Sequence, residues 1–225
     1  MCGRFTLRAP ASVIAEHFDL PGELPPLAPR YNIAPTQPVP VVRLDSHATP
    51  LRREMAALHW GLIPHWAKDA SIGSRMINAR ADTVAEKPAY KAALRRRRCL
   101  LPADGFYEWH SEGGRKQPYF FSLQGDGLFA FAGLWERWEG PDHTCIESCT
   151  LLTTEPNPLV RPIHNRMPVL LPQDAYDLWL DPAEQDPGRL LPLLCPYPAG
   201  PMRARAVSTV VNSPRNDSPD CIAPV

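Results

Sequence analysis

The sequence predicts an α+β fold within one domain that spans residues 1–225. Segments with strand-like alternation or apolar clustering outnumber helical segments, which favours a sheet-based core. Short glycine-containing links separate neighbouring strand candidates, which is typical of antiparallel hairpins. A chain of 225 residues buries one substantial core without requiring a second domain.

Alternating or clustered apolar residues predict the strands in order along the chain. The predicted strands are Val39–Leu44, Glu54–Trp60, Arg75–Ala79, Cys99–Pro102, Phe106–His110, Tyr119–Leu123, Leu128–Trp138, Cys145–Thr154, Met167–Leu171 and Ala204–Val211. Gly113-Gly114 separates two of these strands and Gly125-Asp126-Gly127 separates the next two, so both links predict β-hairpins. We therefore expect mostly antiparallel pairing.

Helical periodicity appears in a few short segments. The predicted helices are Ser12–Phe18, Pro88–Arg97, Gln173–Leu180 and Gly188–Leu194. A proline in the first turn favours the start of the second helix. The run Arg95–Arg98 closes that helix, where cations complement the helix dipole, so we expect a solvated helix end first and a phosphate contact second.

The composition excludes a disordered chain and a collagen-like protein. Hydrophobic residues make up 44% and charged residues 21%, which is typical of globular proteins. Lys+Arg and Asp+Glu both number 24, so attraction to a polyanion depends on locally grouped cations. The chain begins without a signal-peptide pattern and contains no apolar run of membrane-spanning length, so we expect a cytoplasmic location and no membrane partner.

The cysteines are scattered and lack metal-ligand spacing. They are Cys2, Cys99, Cys145, Cys149, Cys195 and Cys221. Neither a disulfide framework nor a zinc site is indicated, and we expect no metal and no cofactor. Cys145 and Cys149 lie in a strand-like run, where buried inert thiols are favoured over a pair or a metal site.

Cys2 becomes an amino-terminal cysteine if Met1 is removed, as aminopeptidases do before small side chains. Its α-amine, with an ordinary pKa of ~7.7–8.0, is partly neutral near pH 7 and attacks an aldehyde to form a Schiff base. The thiol then closes on the imine to give a five-membered thiazolidine, which resists hydrolysis. Position alone favours the alternative that a cysteine at position 2 is accidental.

Three further residues are candidates for proton transfer and positioning. Glu108 lies among aromatic residues in a strand, where burial raises a carboxyl pKa toward the range of proton transfer. His164 lies in a loop between arginines. Asn78 could orient an amine through its amide. The alternatives without a function are that Glu108 is a strand-end residue in water, that His164 is an ordinary surface histidine, and that the Asn78 side chain bonds its own backbone.

Cations and aromatic residues occur in the same segments. They are Arg4, Arg80 and Arg166, and Trp60, Trp66 and Trp109. Arginines can hold phosphates, and indole rings can stack on bases. Core tryptophans and surface arginines explain the same residues equally well.

Together these segments resemble the motifs of the SRAP (SOS-response-associated peptidase) family. The motifs are Cys2-Gly-Arg-Phe, Arg30-Tyr-Asn-Ile-Ala-Pro35, Trp60-Gly-Leu-Ile-Pro64, Asn78-Ala-Arg-Ala, Cys99-Leu-Leu-Pro-Ala-Asp-Gly-Phe-Tyr-Glu-Trp109 and His164-Asn-Arg-Met-Pro168. They follow the family order and extend over nearly the whole chain. The resemblance implies one α+β domain with a curved, mostly antiparallel, barrel-like sheet around a narrow DNA channel, flanked by a few helices.

The resemblance also implies a function, which is to sense abasic sites in single-stranded DNA and to form a thiazolidine crosslink with the ring-opened sugar. This is Schiff-base, lyase-type chemistry that shields the damaged site. The implied catalytic residues are Cys2, Asn78, Glu108 and His164, and the implied DNA-binding residues are Arg4, Arg80, Arg166, Trp66 and Trp109. The implied protein is a monomer that associates with the nucleoid when bound to DNA.

Two departures and two alternatives accompany this prediction. Asp82 stands where many relatives carry Glu, which we expect to matter little, and the mechanism requires removal of Met1. One alternative is a cysteine-type autopeptidase in which Cys2 cleaves the preceding leader with Glu108 or His164 as base. The other is a noncatalytic module that binds single-stranded DNA.

Overall fold

The computed structural model describes residues 2–45 and 48–225, which form two β-sheets with short helices around them. The strands are β1 Phe5–Leu7, β2 Arg30–Ile33, β3 Pro38–Asp45, β4 Arg52–Trp60, β5 Asn78–Arg80, β6 Arg98–Ala103, β7 Gly105–Glu112, β8 Arg115–Leu123, β9 Phe129–Glu139, β10 Cys145–Thr154, β11 Met167–Pro168, β12 Leu170–Leu171 and β13 Met202–Ala206. The helices are α1 Ala11–His17, α2 Pro88–Arg96, α3 Tyr176–Leu180 and α4 Pro187–Leu190. Further 3₁₀ helices span Ala70–Arg75, Gln173–Ala175, Leu191–Leu193, Thr209–Asn212 and Pro219–Ile222.

The larger sheet closes on itself. β3 pairs with β4, β4 with β10, β10 with β9, β9 with β6, and β6 returns to β3. The β4–β10 pair is parallel and the others in this ring are antiparallel. Gly133 on β9 permits close approach, because a Cβ there would lie 2.2 Å from a methyl carbon of Leu101. The predicted α+β fold with a barrel-like, mostly antiparallel core is confirmed.

The smaller sheet has the order β13-β8-β7-β1-β2 and is antiparallel throughout. Gly113 and Gly114, both with positive φ, form the predicted hairpin between β7 and β8. β1 carries the chain from Cys2 into this sheet, where Phe5 pairs with Phe106 of β7. This pairing fixes the amino-terminal segment beside the strand that carries Glu108.

Three local predictions are wrong. The link Gly125-Asp126-Gly127 joins β8 of the smaller sheet to β9 of the larger one, so it is a crossing between sheets and not a hairpin. The predicted strand Arg75–Ala79 begins too early, because Ala70–Arg75 is a 3₁₀ helix whose start is capped by Asp69. The predicted strand Ala204–Val211 ends too late, because the Ser208 side chain accepts from the Val210 N–H and starts another 3₁₀ helix.

The arginine run divides into two environments. Arg95 and Arg96 are exposed, as predicted, whereas Arg98 is buried and lies in β6. Its guanidinium donates to the carbonyls of Leu94 and Arg95 at 2.6 Å each, which closes α2, and also to carbonyls around α3. The prediction of a solvated helix end is therefore wrong for Arg98, because its guanidinium N–H groups bind backbone carbonyl oxygens and not water.

The cysteines also divide by burial. Cys149 is buried, but Cys145 is exposed at the start of β10, so its predicted burial is wrong. Each of the six cysteines is free within the described ranges. Among residues 2–45 and 48–225, we find no helix of the length and apolarity needed to cross a membrane.

Candidate active site around Cys2

Cys2 is buried immediately before β1. Its carbonyl oxygen accepts a hydrogen bond from Asn78 Nδ2 at 2.9 Å, and its Sγ lies 3.9 Å from the carbonyl oxygen of Arg4. Asn78 is the first residue of β5, which is held in place by parallel pairing with Leu151 of β10. Asn78 Oδ1 is buried and has no hydrogen-bond partner within the described part of the chain. The amide thus orients Cys2 and retains a buried acceptor.

Glu108 and His164 meet beside this segment. Glu108 lies in β7 opposite Tyr119 and is buried. His164 lies in the loop after β10, and its Nε2 is 3.8 Å from Glu108 Oε2. The other ring nitrogen, Nδ1, lies 3.1 Å from the backbone N–H of Arg166 and 3.0 Å from its carbonyl oxygen. The loop therefore holds the imidazole through Nδ1, whichever tautomer is present, and leaves Nε2 on the side of the carboxyl group.

Burial sets the protonation of these groups. It raises the pKa of Glu108 to about 7, lowers the pKa of His164, and raises the pKa of the Cys2 thiol well above its usual range. Near pH 7 the thiol is therefore protonated and the imidazole is largely neutral. Glu108 is close to its midpoint, so it can both donate and accept a proton.

An open cleft of about 640 Å³ lies over Glu108 and His164 and extends to Gly3, the neighbour of Cys2. Its lining consists of Gly3, Arg4, Pro35, Glu108, Trp109, Ser111, Lys116, His164 and Asn212. Trp109 Nε1 donates to Asn212 Oδ1 at 2.7 Å, and the Arg4 guanidinium lies 5.8 Å from the indole ring. Arg4 Nη1 also donates to Asn32 Oδ1 and to the Val211 carbonyl, at 2.8 Å each. The cleft thus joins a cation and an indole ring to the Glu108–His164 pair.

The remaining predicted cations lie at the adjoining edge of β5 and β10. Arg80 forms two hydrogen bonds with Asp82, at 3.1 and 2.7 Å. Arg166 donates to the Thr153 carbonyl at 2.6 Å and lies 3.8 Å from the same carboxyl group. Asp82 therefore links both arginines, a role that the sequence did not indicate.

The tryptophans are placed differently from one another. Trp109 lines the cleft. Trp60 is buried and donates from Nε1 to the Ile77 carbonyl at 2.9 Å, so it is not available for stacking. Trp66 is 53% exposed and lies outside the residues that line the cleft.

Asn32 and Asn212, which the sequence did not indicate, hold the side of the cleft formed by the C-terminal segment. Asn32 Nδ2 donates to the carbonyls of Ser213 and Asn216, at 3.0 and 2.6 Å, and so ties the C-terminal segment to β2. Asn212 fixes the indole of Trp109. Asn32 lies within the motif Arg30–Pro35, but no residue pattern indicated its partners in the C-terminal segment. Within the described residues, no group of three or more His, Cys, Asp or Glu is arranged to hold a metal ion.

Fold and site together define a small barrel protein with a cysteine-centred site next to its amino terminus, under a cleft that carries cationic and aromatic side chains. The model of the family described as SOS response associated peptidase (SRAP) matches residues 1–214. The chain belongs to this family.

Several relatives and solved structures are similar to the chain. It is 45% identical over 225 residues to the abasic site processing protein YoqW of Bacillus subtilis, with 99% of each chain covered. It is 34% identical to the abasic site processing protein HMCES of Xenopus tropicalis, with 88% of this chain and 66% of that protein covered. A crystal structure of a Bacteroides thetaiotaomicron protein matches with a TM-score of 0.85 and 25% identity, over 100% of both chains.

Proposed function

We propose that the protein processes abasic sites in single-stranded DNA by forming a covalent thiazolidine through Cys2 after Met1 is removed. The observation that carries the proposal is the position of Cys2, whose carbonyl is held by Asn78 next to the Glu108–His164 pair. The names of the relatives supply the substrate class, since they are abasic site processing proteins.

The first step opens the sugar ring. In its closed form the abasic sugar is a hemiacetal, so the anomeric hydroxyl must lose a proton while the ring oxygen gains one. The carboxylate of Glu108 accepts the first proton, and the Glu108–His164 pair returns a proton to the ring oxygen. A group with a pKa of about 7 is suited to both transfers near neutral pH. The product is an aldehyde within the cleft.

The second step joins the Cys2 amine to the aldehyde carbon. The nitrogen attacks the carbonyl carbon, and one of its protons passes to the carbonyl oxygen to give a carbinolamine. Glu108 takes the second proton from the nitrogen and delivers it to the carbinolamine hydroxyl, so that one water leaves and the imine forms. Asn78 positions the nucleophile through its bond to the Cys2 carbonyl, and its buried Oδ1 can accept an N–H of the amine.

The third step closes the ring. The sulfur bonds to the imine carbon and the thiol proton transfers to the nitrogen, so the net reaction releases only the water of the second step. Because burial keeps the thiol protonated, the amine is the first nucleophile and the thiol the second. The same burial disfavours the autopeptidase alternative, which requires a thiolate at the start.

Residues of the cleft, Arg4 and Trp109, and residues outside its lining bind the strand. Arg4, Arg80 and Arg166 contact phosphates, while Trp66 and Trp109 stack on bases. The protein acts as a monomer in the cytoplasm and on the nucleoid when bound to DNA. The noncatalytic alternative requires only the cationic and aromatic wall and assigns no role to the buried carboxyl group of Glu108.

Two substitutions of Cys2 test the proposal on a strand with one abasic site. Cys2→Ala retains the amine and forms an imine that borohydride traps, but it gives no adduct that survives heat without borohydride. Cys2→Ser should give the same result, because it keeps the amine and nearly the size of the side chain but has no sulfur to close the thiazolidine ring. Heat-stable adducts from either variant, equal in yield to those of the processed parent, would refute the thiazolidine.

A further inference from the structure

A second concave surface lies away from the Cys2 cleft. It encloses about 450 Å³ beside the end of α2, and its lining includes Arg95, Arg96, Arg97 and Glu136. We refer to these four residues as the arginine pocket. The whole chain carries equal numbers of cationic and acidic residues. Three successive arginines in one concavity nevertheless create a local positive field.

Two of these cations are not used by the fold. Arg95 and Arg96 are exposed, and their side chains form no ion pair within residues 2–45 and 48–225. The ordinary role of arginines at a helix end is to bind the last carbonyls. Here Arg98 Nη1 takes that role, with bonds of 2.6 Å to the carbonyls of Leu94 and Arg95. The charges of Arg95 and Arg96 are therefore available to a ligand.

The third cation is fixed in place. Arg97 Nη2 donates to Glu136 Oε2 at 2.7 Å, and Glu136 Oε1 accepts from the Arg137 backbone N–H at 3.0 Å. Arg97 Nε is buried and has no hydrogen-bond partner in the described ranges. One carboxylate does not neutralise three guanidinium groups, so the pocket remains positive and favours an anion.

The pocket is connected to the Cys2 site through β10. Ser148 of β10 pairs with Glu136, and its hydroxyl accepts from the Ile63 N–H at 2.8 Å. Leu151, on the same strand, pairs with Asn78. Ser148 and Leu151 are about 10 Å apart along β10 at ~3.3 Å per residue. Glu136 and Asn78 lie on the strands at the two opposite edges of β10, so the pocket is farther than this from the Cys2 site.

An exposed aromatic residue lies next to the arginine pocket. Trp66 is 53% exposed and follows His65, which lines the same concavity as the arginine pocket. An exposed indole beside unpaired cations is the combination that binds single strands, because the ring stacks on a base while the cations contact phosphates. The occupant with this chemistry is a nucleic-acid strand.

We propose that the arginine pocket is a second phosphate subsite, which binds the DNA strand several nucleotides from the reacting sugar. This inference rests on the proposed function, and it adds a dependence of affinity on strand length. A short strand occupies only the Cys2 cleft, whereas a longer strand reaches the pocket and gains its contacts.

The test uses Arg95→Glu/Arg96→Glu and strands of about 5 and about 15 nucleotides. Each strand carries a tetrahydrofuran in place of the abasic sugar, so binding is measured without a covalent step. We expect the ratio of long-strand to short-strand affinity to fall roughly tenfold or more, with a loss of about 0.7 in the salt slope for each phosphate contact removed. The matched control is Arg75→Glu/Arg215→Glu, which makes the same change in charge at exposed residues outside the cleft and the pocket lining.

The outcomes separate the two proposals. An equal affinity ratio in the variant and the control overturns the phosphate subsite. Adduct formation by the parent protein on a true abasic strand is measured in parallel. If the length dependence is lost in the variant but the parent forms no adduct, the subsite is supported and the proposed covalent function fails.

Discussion

Replacing the carboxyl group of Glu108 should reveal how strongly burial opposes its charge. Burial raises its pKa to about 7 from an ordinary value of 4.5, so the folded state binds this proton more tightly than the unfolded chain. Stability contributed by the protonated group is fully present below about pH 4.5 and is lost as the pH rises through about 7. At about 1.4 kcal/mol for each tenfold change in acidity, the ionised form costs the folded state about 3 kcal/mol.

Glu108→Gln removes the charge and keeps the size of the side chain. We therefore expect the variant to exceed the parent in free energy of unfolding by about 3 kcal/mol at pH 8 and by less than about 1 kcal/mol at pH 5. Urea unfolding followed by tryptophan fluorescence measures both differences. The control Glu86→Gln changes an exposed carboxylate and should alter stability by less than about 0.5 kcal/mol at either pH. A Glu108→Gln difference that does not grow from pH 5 to pH 8 would contradict the desolvated site.

Three further substitutions probe positioning and the core. Asn78→Ala removes the 2.9 Å bond to the Cys2 carbonyl and should slow single-turnover adduct formation roughly 10–100-fold with little change in DNA affinity; an unchanged rate would remove Asn78 from the site. Trp109→Phe keeps a ring but loses the hydrogen bond to Asn212. The dissociation constant for single-stranded DNA, measured by fluorescence anisotropy, should therefore rise several-fold, which corresponds to about 1 kcal/mol of binding free energy. Equal affinity would argue against an oriented indole. Arg98→Met leaves buried carbonyls at the end of α2 without hydrogen-bond donors. The free energy of unfolding, measured in urea, should fall by about 3 kcal/mol. An unchanged free energy of unfolding would show that water replaces the guanidinium.

The predictable part of the fold is the part with strong local patterns. Long strand-like segments such as Cys145–Thr154 and the glycine pair Gly113-Gly114 specify their structure within a few residues of sequence. β1 and β2 were missed because they have only three and four residues, and their strand state comes from pairing with each other and with β7. Short strands of this kind are set by tertiary contacts, which no local pattern encodes.

The site was predictable only to the extent that its motifs resembled a family. The catalytic candidates were named from their chemistry and from that resemblance, but local patterns did not bring Cys2, Asn78, Glu108 and His164 together. They come from the amino-terminal segment, β5, β7 and the loop after β10. These segments belong to two different sheets, and they meet through the Asn78–Cys2 hydrogen bond and the approach of His164 to Glu108. The side-chain contacts of Arg98 and Asn212 depend on equally remote segments, so their roles appeared only in the structure.

Thiazolidine formation between Cys2 and an abasic sugar is best tested by the intact mass of Met-trimmed protein. The protein is incubated with single-stranded DNA that contains one abasic site, without borohydride, and then heated. We expect an increase equal to the mass of the DNA strand less one water, and no such product with Cys2→Ala. Absence of the adduct from correctly trimmed parent protein would refute the proposed role of Cys2.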